Sequence, residues 1–334
     1  KAWHRKILSI TFYGIILLNC ILIFEVLVLH GYDANLLIAL ITLSYGVAFV
    51  LFAVLAKRFF SWFANRRSIV VILYAVATAV MSFNMITSLI EFNAVMYSNE
   101  SKGFYPTNSS FVTASTPVNF TRPFPVDSPA DIISNAQFYS VDIYFVLSWL
   151  ATGLFLYHYS ARIGKIKYWT LISVIVFYYF YYYYSLWEGV LPISSMDESS
   201  IPIILVNTYS LTTGGIIFGI GFFLMAKSVR TMTPIRDYLV FCGMGFTLFF
   251  NCANATVYQN PYPPFGILNV SFVSLSSLFI TVGLTFAAFS VSKDVELRRN
   301  IVQSTKNNYN PIAKIASAQE TLRLKEKIVH IIDH

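Results

Sequence analysis

Residues 69–92 read IVVILYAVATAVMSFNMITSLIEF. The stretch is 24 residues long and holds no proline, glycine, lysine or arginine, and a single charge, Glu91. A helix of about 20 apolar residues spans the roughly 30 Å hydrocarbon layer of a bilayer. A buried strand is far shorter. The stretch is therefore read as a membrane-crossing helix.

Seven further runs have the same character. The spans are placed at 7–29, 36–56, 69–92, 138–160, 169–191, 203–226, 237–258 and 267–291. Over all 334 residues, 56% are hydrophobic and 12% charged. A soluble domain carries about 25% charge, so a water-soluble globule is excluded. Disorder needs low hydrophobicity and high charge, and is excluded too. The fold expected is an all-α bundle of eight transmembrane helices. Residues 1–291 form the membrane domain, with an extracytoplasmic loop at 98–136, and 292–334 form a cytoplasmic juxtamembrane helix.

The connections alternate in charge. Residues 57–68 (KRFFSWFANRRS), 161–167 (ARIGKIK) and 227–236 (KSVRTMTPIR) are basic, as are the N-terminal stub and the tail. Of the 23 lysines and arginines, only Lys102 and Arg122 fall on the other side. Lysine and arginine mark the cytoplasmic face, so both termini are expected there, in a plasma-membrane protein. The formal net charge of +7 is then a topology signal and an attraction to anionic lipid. No basic-aromatic groove points to nucleic acid.

The 98–136 loop is rich in Ser, Thr, Asn and Pro, and carries the sequons Asn99, Asn108 and Asn119. It is read as a flexible, glycosylatable loop or as a lid packed by its aromatics. Asn254 and Asn269 also begin sequons but lie too near the membrane. Cys20, Cys242 and Cys252 all sit in apolar runs, so buried free thiols are expected rather than a disulfide framework.

Ionisable side chains inside a span are costly and face a bundle interior or a cavity by default. Glu25, Glu91, Asp142 and Glu188 lie in or at the ends of spans, all in the outer third. Asn84, Ser88 and Glu91 stand at i, i+4 and i+7, on one helix face. Tyr181, Tyr184 and Glu188 share a face of span five, whose run 177–184 is entirely aromatic. Thr247, Asn251 and Asn254 stripe span seven, and Asn207 adds an amide in span six. These twelve residues are the candidate lining of an outward-facing cavity. The inner halves are more apolar. A transporter or channel would carry polar groups right through, whereas a receptor-like sensor needs only an outer pocket and a helix that moves.

Other features carry less. Gly215-x-x-x-Gly219 is a close-packing motif. His330 and His334 are four apart in the tail, with no cysteine or carboxylate to complete a metal site. No P-loop, GxGxxG, GxSxG or HExxH occurs. No metal, cofactor or catalytic residue is expected.

The tail continues the last run as SKDVELRRNIVQSTK (292–306), turns at NNYNP (307–311), and resumes from Ile312 with apolar positions at Ile312, Ile315, Leu322, Ile328 and Ile331 or Ile332. It is read as a surface helix on the membrane face or as a signalling helix. In architecture, and in SKDVELRRNIVQSTK and SAQETLRLKEK (317–327), the chain resembles the multipass input modules of prokaryotic and archaeal sensor proteins. The likeness covers roughly the last 45 residues and includes no diagnostic motif. It implies a membrane sensor whose last helix leads to a cytoplasmic output domain or a homodimer contact. The partners expected are the lipid bilayer and a small ligand or ion. The alternatives are a secondary transporter or channel, and a subunit of an integral-membrane complex.

Overall fold

A computed structural model describes residues 34–65, 67–100, 128–157, 160, 164–187, 201–228, 233–252 and 265–293, with residues 10, 13, 14, 16, 17, 20, 21 and 24 of the first run and Gln319 and Thr321 of the tail. Side chains are described for most of these but not at 34–38, 92, 94–100, 138, 178–187, 201–212, 228, 233–234, 265–271 and 290–293. Among the described residues there are helices and no strands.

The described residues form seven long helices, in chain order α1 Ala34–Asn65, α2 Ile69–Glu100, α3 Pro129–Tyr157, α4 Lys165–Trp187, α5 Ile201–Ser228, α6 Thr233–Cys252 and α7 Phe265–Lys293. Among the described residues, four stretches are apolar and long enough to cross a membrane: Ala39–Asn65, Ile69–Glu91, Pro129–Tyr157 and Phe272–Phe289. Thr213–Lys227 of α5 is a shorter apolar helix.

Helix boundaries have local causes. The Ser68 carbonyl accepts from Ile72 N at 3.1 Å and opens α2. Ser128 caps α3: its hydroxyl accepts from Asp131 N at 3.2 Å and its carbonyl from Ile132 N at 3.0 Å. Pro129 stands at the first helical position, where its missing N–H costs nothing. Gly164 has φ +95°, a left-handed conformation that glycine adopts without steric cost. Its N–H closes back on Ser160 O at 2.9 Å, and its carbonyl accepts from Tyr168 N at 3.0 Å to start α4.

Three expected boundaries are corrected. The first basic connection, read as starting at residue 57, is helical to Asn65, because KRFFSWFAN contains no breaker and the long basic stems of Lys57 and Arg58 reach outward. The loop read as 98–136 is shorter at both ends: α2 runs to Glu100 and α3 starts at Pro129, not near 138. Cys242 and Cys252 are buried as expected, but Cys20 is exposed, on a run whose Tyr13, Leu17, Ile21 and Phe24 also face outward.

The helices close a six-membered ring in the order α1, α2, α3, α5, α6, α7 and back to α1, with α4 against α3 and α5. Neighbours α1/α2, α2/α3, α5/α6 and α6/α7 run antiparallel, and α1/α7 and α3/α5 run parallel. Two pairs per seam fix these directions: Ser82–Phe49 and Tyr74–Phe59 for α1/α2, Asn84–Ser140 and Tyr74–Thr152 for α2/α3, Phe145–Phe218 and Phe155–Phe222 for α3/α5, Phe218–Phe250 and Phe222–Phe246 for α5/α6, and Tyr238–Phe286 and Phe241–Phe279 for α6/α7, from which the parallel run of α1 and α7 follows. All odd-numbered helices of the ring thus begin at one end, marked by Glu91; Trp62 marks the other.

Aromatic rings fill the middle. Tyr144, Phe145, Phe218, Phe249, Phe250 and Phe52 form one cluster, with Phe218–Phe250 centroids 4.9 Å apart and Phe52–Phe249 5.0 Å apart. One turn further toward Trp62 lies a second, in which Phe222 stacks on Phe246 at 5.2 Å and both flank Tyr74. Tyr74 continues to Phe59, and Phe59 to Trp62 in an edge contact at 5.2 Å. Each such pair contributes about 0.5–1.5 kcal/mol beyond its burial.

The exterior is apolar as well. Leu43, Val50 and Val54 line the outside of α1, and Ile143, Leu150 and Leu154 that of α3. An apolar surface of this extent around an apolar core is the expected shape of a bundle solvated by lipid.

Candidate functional site

The helical spacing of Asn84 and Glu91 turns both toward α3. Asn84 is 2% exposed. Its Nδ2 donates to the Gln137 carbonyl at 3.0 Å and to Ser140 Oγ at 2.7 Å. Ser140 Oγ itself donates to the Gln137 carbonyl at 2.7 Å. Thr87, between them on α2, returns its hydroxyl to Phe83 O and Asn84 O. Two turns along, Glu91 is 3% exposed and its Oε1 accepts from Ser134 Oγ at 2.7 Å. Ser134, Gln137 and Ser140 are spaced by three, so one face of α3 supplies every partner. The α2–α3 seam is therefore polar at the Glu91 end and turns aromatic below Tyr74.

Glu91 is the unusual member. A carboxylate offers about four acceptor sites, and among the described residues one neutral hydroxyl serves this one. Desolvating a carboxylate costs several kcal/mol unless charge or hydrogen bonds offset it. Tyr45 of α1, 6% exposed, lies within electrostatic reach of both Glu91 and Cys252. Tyr144 of α3, fully buried, lies within electrostatic reach of Tyr45 and Asp142. Among the described residues, the hydroxyl of Tyr144 has no hydrogen-bond partner, nor do those of Ser148, one turn further along the same face, and Thr281 of α7.

A separate polar stripe lies on α6. Thr247 Oγ1 donates to Gly243 O at 3.0 Å and approaches Gly215 O of α5 at 3.4 Å. Asn251 Nδ2 returns to Thr247 O at 2.7 Å. Thr247 thus serves the α5–α6 seam, while Asn251 bonds within its own helix; in that seam Gly215 and Gly219 permit close backbone approach, since a Cβ on Gly219 would stand 2.8 Å from Gly243 O.

Of the twelve residues expected to line one cavity, the hydrogen bonds bring Asn84 and Glu91 together across α3, and Thr247 and Asn251 together on α6. Ser88 is half-buried on α2 and Asp142 half-buried on α3. Tyr181, Tyr184 and Asn207 lie in α4 and α5 with side chains outside the description, as Asn99 does in α2. Glu25, Glu188, Asn254, Asn108 and Asn119 lie outside the described residues. Among the described residues, no three His, Cys, Asp or Glu side chains group as metal ligands.

Sequence reasoning missed Tyr45, Tyr144, Ser134, Gln137 and Ser140. The signal for the last three was their spacing of three on one face, which falls just before or at the start of the span placed at 138. It also missed a contact at the opposite end: Trp62 Nε1 donates to Gln319 Oε1 at 2.5 Å. Trp62 is 2% exposed, and Gln319 and Thr321 are half-buried and helical. Gln319 lies four residues after Ile315 and three before Leu322, on the apolar stripe read from the tail.

The chain matches no protein-family model, no curated protein and no solved structure.

Proposed function

We propose that the protein is a multipass membrane sensor, with the Glu91 end of the bundle facing outward and the Trp62 end in the cytoplasm. A small ligand or ion bound at the polar Glu91 end biases the packing of α1, α2 and α3, and the tail reads that bias. In this reading the chain crosses the plasma membrane eight times, both termini are cytoplasmic, and 292–334 is the output helix, acting on a cytoplasmic domain or a second copy of the chain.

The observation that carries the reading is the Trp62–Gln319 bond. It fastens the tail to α1, the helix that also carries Tyr45, within electrostatic reach of Glu91. Between the two ends the interior is packed ring on ring, Tyr144 through Phe249 and Phe52, and Phe222 through Tyr74 and Phe59 to Trp62. Close-packed interiors transmit displacement because they repack rather than compress. The basic stretches 57–68, 161–167 and 227–236, between α1 and α2, α3 and α4, and α5 and α6, follow helices that end at the Trp62 end and support the orientation.

The test is hydrogen–deuterium exchange of residues 312–330 in lipid nanodiscs, wild type against Glu91→Gln. Exchange in that segment changes in the variant while α3 and α6 stay protected. A tail whose exchange is the same in both folded proteins contradicts the reading.

A secondary transporter or channel is the second reading. The hydroxyls of Ser148 and Thr281, buried and without partners, favour it, because a polar route needs such groups below the outer site. It predicts solute flux in proteoliposomes containing this chain alone.

A further inference from the structure

We infer that the bundle moves as two three-helix bodies, α1–α3 and α5–α7, which slide on the layer of aromatic rings between them. The inference deepens the sensor reading, and rests on it only for what the movement signals.

The topology divides the ring in two. α1, α2 and α3 run away from, toward and away from the Glu91 end, and α5, α6 and α7 do the same. A half-turn about an axis along the bundle therefore takes the place and direction of α1 to α5, of α2 to α6 and of α3 to α7. It also exchanges the two seams between the halves, α3/α5 and α7/α1, both of which are parallel. α4 joins the halves along the chain and is tied to the first of them. Trp149 Nε1 donates to Ile172 O at 3.3 Å, and the Tyr168 hydroxyl to Gly153 O at 3.1 Å.

The contacts inside a half differ from those between the halves. In the first half, directional bonds join the helices: Ser82 Oγ donates to Phe49 O at 3.1 Å, Asn84 reaches Gln137 O, and the Tyr74 and Thr152 hydroxyls lie 3.0 Å apart. In the second half, backbone meets backbone. A Cβ on Gly245 would stand 2.8 Å from Ile280 N, and one on Gly283 2.6 Å from Tyr238 O. Hydrogen bonds weaken steeply off their geometry, and close-packed backbones have no room to shift. Between the halves, ring meets ring. Phe52 lies edge-on to Phe249 at 5.0 Å, Tyr144 is tilted on Phe250 at 5.7 Å, and Phe155 stacks on Phe222 at 5.9 Å. Aromatic pairs are favourable both stacked and edge-on, over centroid distances of about 4.5–7 Å. A slide exchanges one good pair for another. At α1/α7 the link is a long one, from Ser274 N to Ser44 Oγ at 3.3 Å.

The unpartnered hydroxyls mark the same boundary. Among the described residues they are those of Tyr144, Ser148 and Thr281. They stand on α3 and α7, the helix of each half that borders the other half's first helix. The Tyr144 ring meets Phe249 and Phe250 of the second half. Thr281 follows Ser274 by two turns, on the face that meets α1. Buried polar groups are nearly always paired, and the hydrocarbon layer offers no water to pair them. Leaving them unpaired raises the free energy of this arrangement, and a second arrangement of the halves that pairs them recovers it.

The experiment is double electron–electron resonance on the full chain in nanodiscs, with the native cysteines removed. Spin labels at Val76→Cys on α2 and Phe241→Cys on α6 span the two halves; labels at Val54→Cys on α1 and Leu150→Cys on α3 stay within one. All four positions face outward. The spanning pair shows two distance populations and the pair within a half shows one. Ser148→Ala with Thr281→Val removes two unpartnered hydroxyls at little change of shape, and lowers the second population at least about fivefold. A spanning pair with a single population as narrow as the other, or a second population unchanged by the double variant, overturns the division. If the halves move but the exchange of 312–330 is the same in wild type and the double variant, the division stands and the sensor reading falls. If the spanning pair shows one population while Glu91→Gln alters that exchange, the reverse holds.

Discussion

Trp62 Nε1 donates a hydrogen bond to Gln319 Oε1 across 257 residues of chain. The indole is packed edge-on against Phe59 and is almost fully buried, so the tail meets α1 at a rigid point. A neutral hydrogen bond of this kind contributes about 1 kcal/mol. That is enough to hold the tail most of the time and little enough for a ligand to shift.

Trp62→Phe keeps a ring against Phe59 and removes the donor. The tail is expected to become more accessible, with protease cleavage between 306 and 327 accelerated about fivefold, the population equivalent of about 1 kcal/mol. The bundle itself should keep its melting temperature to within a few degrees. Limited proteolysis and thermal unfolding in nanodiscs read the two separately.

Asn84→Ala deletes both donors to Gln137 O and Ser140 Oγ. Hydrogen bonds between membrane helices are worth about 0.6 kcal/mol on average and up to about 1.7. A loss of about 1–2 kcal/mol in reversible unfolding is expected, since two bonds go together. Ser88→Ala, on the same helix but only half-buried, should cost less.

Gly283→Ala and Gly46→Ala are expected to differ in sign. A Cβ on Gly283 would stand 2.6 Å from Tyr238 O and 2.7 Å from Cys242 N, so α6 and α7 must separate. That costs about 1–3 kcal/mol. A Cβ on Gly46 meets nothing within 4 Å, and alanine there gains up to about 1 kcal/mol of helix propensity. Unfolding midpoints of the two variants against wild type check the prediction.

The orientation is open to chemical labelling. In a background free of Cys20, Cys242 and Cys252, a cysteine at Ser128 should react with a membrane-impermeant maleimide on intact cells. A cysteine at Arg67, which is exposed at the Trp62 end, should react only after permeabilisation. The opposite pattern would invert the bundle and place Glu91 inside.

Much of the helical frame was legible because hydropathy and run length are local properties. Ile69–Glu91 and the apolar stretch of α7 fall where the periodic apolar runs put them. Boundaries were less legible. Ser128-Pro129-Ala130-Asp131 is a cap followed by a proline at the first helical position, and it starts α3, but it sits at the end of a Pro- and Ser-rich stretch that reads as loop. Asn84 and Glu91 were visible as polar residues on one face; their partners were not, since which face of α3 meets α2 depends on tertiary packing. Tyr45 and Tyr144 were hidden for another reason. A tyrosine in an apolar run looks like a core aromatic, and only the packed structure shows Tyr45 within electrostatic reach of Glu91 and the buried hydroxyl of Tyr144 within reach of Tyr45. The Trp62–Gln319 bond joins the end of α1 to the tail, a separation that no spacing rule reaches.

The central claim is that the Glu91 end and the tail are coupled. Spin labels at Ala64→Cys on α1 and Thr321→Cys in the tail, in nanodiscs and with the native cysteines removed, report the distance between them by double electron–electron resonance. The account predicts one narrow distance population in the wild-type background and a shifted or broadened one with Glu91→Gln. Identical distributions in the two folded proteins would contradict it.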